Sequence, residues 1–241
     1  SIVLALALAA LLGLLIERLA LRPMTGQPLL SIILMTLGLS QALQGLALLL
    51  FGGAQRNFPQ MFSAASPYKI VTPLIFNDKP ITLILKQNLV WSFAVAMLGV
   101  ILIGAFFQFT RTGLAMRGAS EDHELAQSLG LRIHRIFGLS WALAGMAATT
   151  AGILLATSSG LDLSLAVVVL AAFPVVLLGG LESIPGAIVG GLIIGLAQGI
   201  VSASKVQWVR GTTEIMPYVV LLIVLLLRPE GLFGRKRIER V

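Results

Sequence analysis

Long runs of Ala, Leu, Ile, Val and Gly, separated by short polar stretches, set the pattern of this chain. A helix crossing the hydrocarbon core of a bilayer needs about 20 mostly apolar residues. Charge-free runs predict seven such helices: Ser1–Ile16, Leu29–Phe51, Leu89–Phe109, Ile136–Ser158, Ser164–Leu181, Ala187–Ser204 and Ile215–Leu227. As drawn, none of these spans contains Asp, Glu, Lys, Arg or His. The first is short, as expected if its beginning lies upstream of Ser1. The last three are marginal in length, and Pro174 in the fifth predicts a broken or tilted helix. The fold expected is an all-α polytopic bundle, one transmembrane domain over residues 1–241. Its extramembrane parts are an outer loop at 52–88, an inner loop at 110–135 and a tail at 228–241. Within the outer loop, the β-prone runs Tyr68–Ile75 and Pro80–Leu85 flank Asn77-Asp78 and predict a short hairpin.

Composition supports the membrane class. Of 241 residues, 57% are hydrophobic and 11% charged, against roughly 25% charged in an average soluble domain. Twenty-seven charges cannot give a fold of this size a polar skin, so the water-soluble class is excluded. Most nucleic-acid binders go with it, despite a net charge of +7. With the C-terminus cytoplasmic, eleven basic residues fall inside and six outside, the asymmetry that cytoplasmic loops carry. The absence of cysteine removes thiol chemistry and Cys-based zinc sites.

Polar chemistry within the spans is sparse. Ion-coupled transporters and intramembrane hydrolases place ionisable groups in the bilayer, and the spans as drawn hold none. No G-x-x-x-x-G-K-[ST] phosphate loop is present. His123 and His134 lack ligand-like spacing. The second span carries Thr36, Ser40 and Gln44 at i, i+4 and i+8, with Gln41 adjacent. That stripe is either a neutral hydrogen-bonding path for a polar solute or a set of interhelical bonds. Small residues recur at four-residue spacing in Gly186 and Gly190, in Gly191, Gly195 and Gly199, and in Ser140, Ala144, Ala148 and Gly152. Such faces let helix backbones approach closely. Pro174 and the Gly-rich turn Gly179–Gly186 are candidate bending points.

The inner loop reads TRTGLAMRGASEDHELAQSLGLRIHR over Thr110–Arg135. Ser120 as cap, Glu121 and Asp122 in a first turn, the Leu125/Leu129 pair and a stop at Gly130 predict a short amphipathic helix. This segment resembles the ATPase-docking loop of bacterial ABC importer permeases, with its loose pattern E-A-A-x-x-x-G. Glu124, Ala126 and Gly130 match, Leu125 replaces the first Ala, and the downstream Ile-x-Leu-Pro part is absent. Thr110–Leu154, the stretch GGLESIPGAIVGGLIIGLAQG at Gly179–Gly199, LRPEGLFGRK at Leu227–Lys236 and SIILMTLGLSQALQG resemble the branched-chain amino acid permease family. They are closer to its H-type subunit than to its M-type subunit, and the family's usual N-terminal segment is missing here.

The resemblance implies a transport subunit with no catalysis of its own in the bacterial inner membrane, surrounded by lipid. Its partners would be a homologous second permease, two cytoplasmic ATPases that bind ATP and Mg, and a periplasmic substrate-binding protein. Glu121–Gly130 would be the coupling helix, with Asp122 and Glu124 in it and Arg117 anchoring the loop. Substrates compatible with the Ser, Thr and Gln stripe are branched-chain or other neutral amino acids, with urea or short amides as the rival within the family. A passive channel for small neutral solutes and a scaffold that recruits soluble proteins are the alternatives of other classes.

Overall fold

Apolar runs with no charge have no alternative in lipid to satisfying their backbone bonds internally, and helices do so within one segment. The computed structural model describes residues 2–24, 26–57, 68–76, 79–121, 123–128, 130–181, 183–204 and 206–234. Every run identified above is helical through its middle, and the fifth, sixth and seventh stop or start one to two residues inside their expected bounds. Among the described residues, five helices are long and apolar enough to cross a membrane: Ile2–Met24, Leu30–Phe51, Gln87–Phe109, Ile133–Ser159 and Ile184–Ser202. The fifth and seventh runs are shorter helices, Leu163–Gly179 and Met216–Leu227. At 1.5 Å per residue the latter, at 12 residues, rises about 18 Å, well short of the roughly 30 Å hydrocarbon core. The expected count of seven therefore reduces to five full-length helices and two short ones.

Contacts gather the chain into two units, Ser1–Leu163 and Ser164–Val241. The first contains α1 (Ile2–Ile16), α2 (Leu29–Phe51), strands β1 (Tyr68–Phe76) and β2 (Lys79–Leu85), α3 (Gln87–Phe109), α4 (Arg111–Glu121), α5 (His123–Ser128) and α6 (Ile133–Ser159). The strands pair antiparallel from Tyr68↔Leu85 to Phe76↔Lys79, as the β-prone runs predicted. Their register shifts between Val71 and Ile75, where Pro73 has no N–H to give the ladder. Asn77 and Asp78 lie outside the described residues.

In this unit α1 packs against α6, backbone to backbone. A Cβ on Gly13 would strike the carbonyl of Trp141, and one on Gly145 would stand 2.6 Å from the carbonyl oxygen of Ala9. In lipid, helices are held by such close packing rather than by hydrophobic burial. The seam uses Gly138, Ala142 and Gly145 of α6. The expected face Ser140, Ala144, Ala148 and Gly152 is displaced from it. The Ser140 hydroxyl bonds back to the Ile136 carbonyl at 3.0 Å, and nothing lies within 4 Å of a Cβ built on Gly152. At one end of the unit, Arg56 and Leu161 exchange backbone hydrogen bonds of 2.9 and 2.8 Å. Asn88 reaches Ser158 Oγ there at 3.1 Å.

A 3-10 turn (Leu163–Val167) begins at the boundary, and the second unit then contains α7 (Val168–Gly179), α8 (Ile184–Ser202), the short α9 (Gln207–Arg210) and α10 (Met216–Leu227). Ser183 caps α8 by accepting the Gly186 N–H at 3.0 Å, and Pro185 sits in the first turn, where a missing N–H costs nothing. Gly179 and Gly186 meet so closely that a Cβ on either would strike the other's backbone, and a Cβ on Gly190 would stand 2.6 Å from the Val175 carbonyl oxygen. Gly191 has only the Val175 side chain at 3.6 Å, and Gly195 and Gly199 have nothing within 4 Å. Gly186 and Gly190 thus seat α7, Gly191 touches only its Val175 side chain, and Gly195 and Gly199 face away from it.

Pro174 is fully buried inside α7. Proline cannot donate to the carbonyl four residues earlier, which here belongs to Leu170. The Tyr218 hydroxyl of α10 donates to that carbonyl instead, at 2.9 Å. The end of α7 has the same problem, because its last carbonyls lack intrahelical donors. The segment after α10 supplies them. Leu232 N–H bonds the Leu178 carbonyl at 2.8 Å, and Phe233 N–H bonds that of Gly179 at 3.2 Å. Gly231 makes the turn that allows this, at φ +78°.

Candidate functional site

The inner loop is built differently from its sequence pattern. Thr110 begins the helical stretch ten residues before the expected cap. Its hydroxyl accepts the Gly113 N–H at 3.0 Å and donates to the Phe106 carbonyl at 2.6 Å. The helix α4 then runs through Ser120, whose hydroxyl bonds back to the Arg117 carbonyl at 2.8 Å. Ser120 therefore does not cap a following helix, and Glu121 is the last residue of α4 rather than part of a first turn. A second short helix, α5, carries Glu124 and Ala126. Asp122 and Leu129, and with them the Leu125/Leu129 pair, lie outside the described residues.

One expectation for this loop holds, the stop at Gly130. Gly130 adopts φ +81° and ends α5, with its N–H on the Gln127 carbonyl at 2.9 Å and Leu131 N–H on that of Ala126 at 3.1 Å. Ala126 is 3% exposed and packs with Met116, Ala119, Ile133 and Ile136. The small side chain at that motif position is what lets α5 lie on α4 and α6. Arg117 is exposed on the opposite side of α4 from Met116 and Ala119.

On α2 the polar stripe is local. Gln44 donates to Ser40 Oγ at 3.2 Å, and the Thr36 hydroxyl bonds the Ile33 carbonyl at 2.9 Å. Gln41 and Ser40 are exposed. Apolar side chains on the same helix are equally open, with Leu49 85% exposed, as suits a helix surrounded by lipid or by another subunit.

The most informative group is one that the sequence pattern placed outside the spans. The first helix does not end at Ile16. It continues through a π-helical turn, Glu17–Leu21, and a 3-10 turn, Arg22–Met24. Glu17 therefore belongs to a membrane-length helix, correcting the charge-free first span. His134 and Arg135 likewise lie within α6, in its exposed first turn. Glu17 is 7% exposed, the only buried charged residue among those described. It follows Gly13 by one turn on the α6-facing side, and its Oε2 lies 3.7 Å from where a Gly138 Cβ would be. The missing side chain at Gly138 makes room for the carboxyl. Among the described residues, no hydrogen bond or ion pair reaches that carboxyl. It borders a cavity of about 490 Å³ lined also by Arg22, Gln127, Ile133, Phe137 and Trp141. The spacing Gly13–Glu17 was the available signal, because it continues the small-residue face of α1.

A set of membrane-length apolar helices with glycine seams and a basic, motif-bearing loop defines a multi-pass membrane protein. Residues 1–226 match the family described as the branched-chain amino acid transport system / permease component, and the chain belongs to that family. It is 30% identical over 239 residues to the high-affinity branched-chain amino acid transport system permease protein LivH of Escherichia coli K12. That alignment covers 98% of this chain and 74% of the relative. The LivH of Salmonella typhimurium LT2 is similar to the same extent. The corresponding protein BraD of Pseudomonas aeruginosa PAO1 is 27% identical over 230 residues, 94% of this chain and 71% of that protein. No solved structure matches the chain. The protein is thus a transmembrane permease component.

Proposed function

We propose that the chain is the solute-path subunit of an ATP-driven importer for branched-chain amino acids. The observation that carries this is the near-complete coverage of the chain by permeases named for that substrate class. It would work beside a second, homologous permease and two ATPase subunits that bind ATP and Mg. A periplasmic binding protein would deliver the amino acid, and the C-terminus would be cytoplasmic in the bacterial inner membrane.

Two structural features support this reading. The segment Glu121–Gly130 rests on a packed base through Ala126 and turns back at Gly130. A loop fixed in that way can pass a push from a docked ATPase to α3 and α6, and coupling requires different contact in the two states of the cycle. The stripe Thr36, Ser40, Gln41 and Gln44, with Ser40 and Gln41 exposed and Thr36 and Gln44 half-buried, offers a neutral polar face that a second permease would complete into a path.

The test is uptake into vesicles containing the full transporter, with leucine and urea compared as substrates. Wild type takes up leucine in strict dependence on ATP. Glu124→Ala or Gly130→Pro lowers uptake per ATP hydrolysed about tenfold, proline being unable to adopt the positive φ at position 130. Unchanged coupled uptake in both variants would remove the docking role, and uptake of urea in place of leucine would overturn the substrate.

A further inference from the structure

Glu17 has no role in the scheme above. The Glu17 side chain is almost wholly covered, and its carboxyl borders the cavity with no hydrogen bond or ion pair to a described residue, so a cation or hydrogen-bond donor entering there can complete it. The backbone around it is also irregular. Arg22 N–H bonds the Glu17 carbonyl, closing a π turn, a feature that recurs at functional positions in helices. The wider turn lets Glu17 and Arg22, five residues apart, both line the cavity. Glu17 is in its wall and Arg22 is exposed at its edge.

The remaining walls are chiefly apolar, from Ile32, Ile133, Phe137 and Trp141, with Gln127 of α5 contributing an amide. At about 490 Å³ the cavity is in the range of small-molecule sites, ~300–1,000 Å³. A buried carboxylate, a guanidinium and apolar walls within one cavity form a complementary set. It suits a small zwitterion with a primary ammonium, a carboxylate and an aliphatic side chain.

We infer that this cavity is an amino-acid-binding site of the permease itself, with Glu17 receiving the α-ammonium and Arg22 the carboxylate. Ile133, Phe137 and Trp141 hold the side chain. In naming the ligand as the transported amino acid, the inference rests on the importer reading. Gln127 puts the site against the same loop that carries Glu124 and Gly130. A ligand here would sit where solute leaves the path on the side of the ATPases.

The test is equilibrium binding of tritiated leucine to the complete permease–ATPase complex in phosphatidylglycerol nanodiscs, without binding protein or ATP. Saturable binding is expected. Leucinamide, which keeps the ammonium, competes, and 4-methylpentanoate, which lacks it, does not. Glu17→Gln raises the leucine Kd by about tenfold or more, the loss typical of a charge-assisted hydrogen bond. Arg22→Gln, at an exposed position, raises the Kd for leucine about tenfold and leaves that for leucinamide unchanged.

Absence of saturable binding, or a Glu17→Gln Kd within about twofold of wild type, overturns the site. If Glu17→Gln does not assemble, Arg22→Gln decides, and an unaltered leucine Kd overturns it. Displacement of leucine by added phosphatidylethanolamine would assign the ammonium to a lipid headgroup and also overturn it. ATP-dependent leucine uptake measured on the same complexes separates the two readings. A complex that takes up leucine without Glu17-dependent binding loses the site alone. One that takes up no branched-chain amino acid loses the importer reading, while the binding measurement still reports on the cavity.

Discussion

The seam between α1 and α6 and the seam between α7 and α8 both bring backbones to within the width of a Cβ. The first does so at Gly13 and Gly145, the second at Gly179, Gly186 and Gly190. They differ in how they end. In the α7–α8 seam the exposed carbonyls find donors: Tyr218 answers the carbonyl freed by Pro174, and Leu232 and Phe233 answer those of Leu178 and Gly179 at the end of α7. The α1–α6 seam ends on a carboxyl beside Gly138 with no partner among the described residues, next to an open cavity. Close glycine packing alone is therefore a structural device. A glycine seam that also makes room for a covered carboxyl, unpartnered among the described residues, at the wall of a cavity is a candidate site.

The largest test of the comparison is to overfill each seam. Gly186→Leu and Gly145→Leu both drive a side chain into backbone that cannot move aside, costing at the upper end of about 1–3 kcal/mol or more. Both should lower the yield of monodisperse protein and its melting temperature in detergent. A wild-type melt for either would show that the corresponding helices do not meet as described.

A smaller effect is expected at Tyr218. Tyr218→Phe leaves the Leu170 carbonyl without its donor and should cost about 1–3 kcal/mol. In a Pro174→Ala background the helix regains the N–H that this carbonyl lacks, so the same substitution should cost much less. Equal losses in the two backgrounds, read from a thermal double-mutant cycle, would break the link between Pro174 and Tyr218.

The smallest effect is expected where the stripe faces open space. Gly195→Ala and Gly199→Ala should leave the chain as stable or raise it by about 0.5–1 kcal/mol, the ordinary helix preference of alanine over glycine. A fall in the melting temperature of the isolated chain would mean that α8 packs on that face as well.

Much of this molecule is readable along the chain. Charge-free runs gave the helices because lipid leaves the backbone no other local solution. Gly130 as a helix stop and the paired strands Tyr68–Phe76 and Lys79–Leu85 followed from local geometry, which neighbouring residues decide among themselves. The inner loop was only partly readable. Its acidic residues suggested one helix starting at Ser120, whereas Thr110 and a tight approach of Gly113 to Phe107 start α4 earlier. Capping by Ser or Thr is a competition, and the winner depends on which turn packs against α3.

Glu17 shows the limit of the linear pattern. A charge after an apolar run reads as the end of a span, and only the α6 surface opposite it, with glycine at 138, turns that position into a buried one. Sequence by itself determined the class of protein, the helices, the stop at Gly130 and the family, all of which depend on residues close together in the chain. Tertiary structure decided which glycines touch a partner helix, which carbonyls Tyr218 and the segment after α10 complete, and where the buried carboxyl lies. Those depend on pairs of surfaces more than 120 residues apart, as between Glu17 and Gly138 or Ala9 and Gly145. A helical face has no burial until another helix covers it.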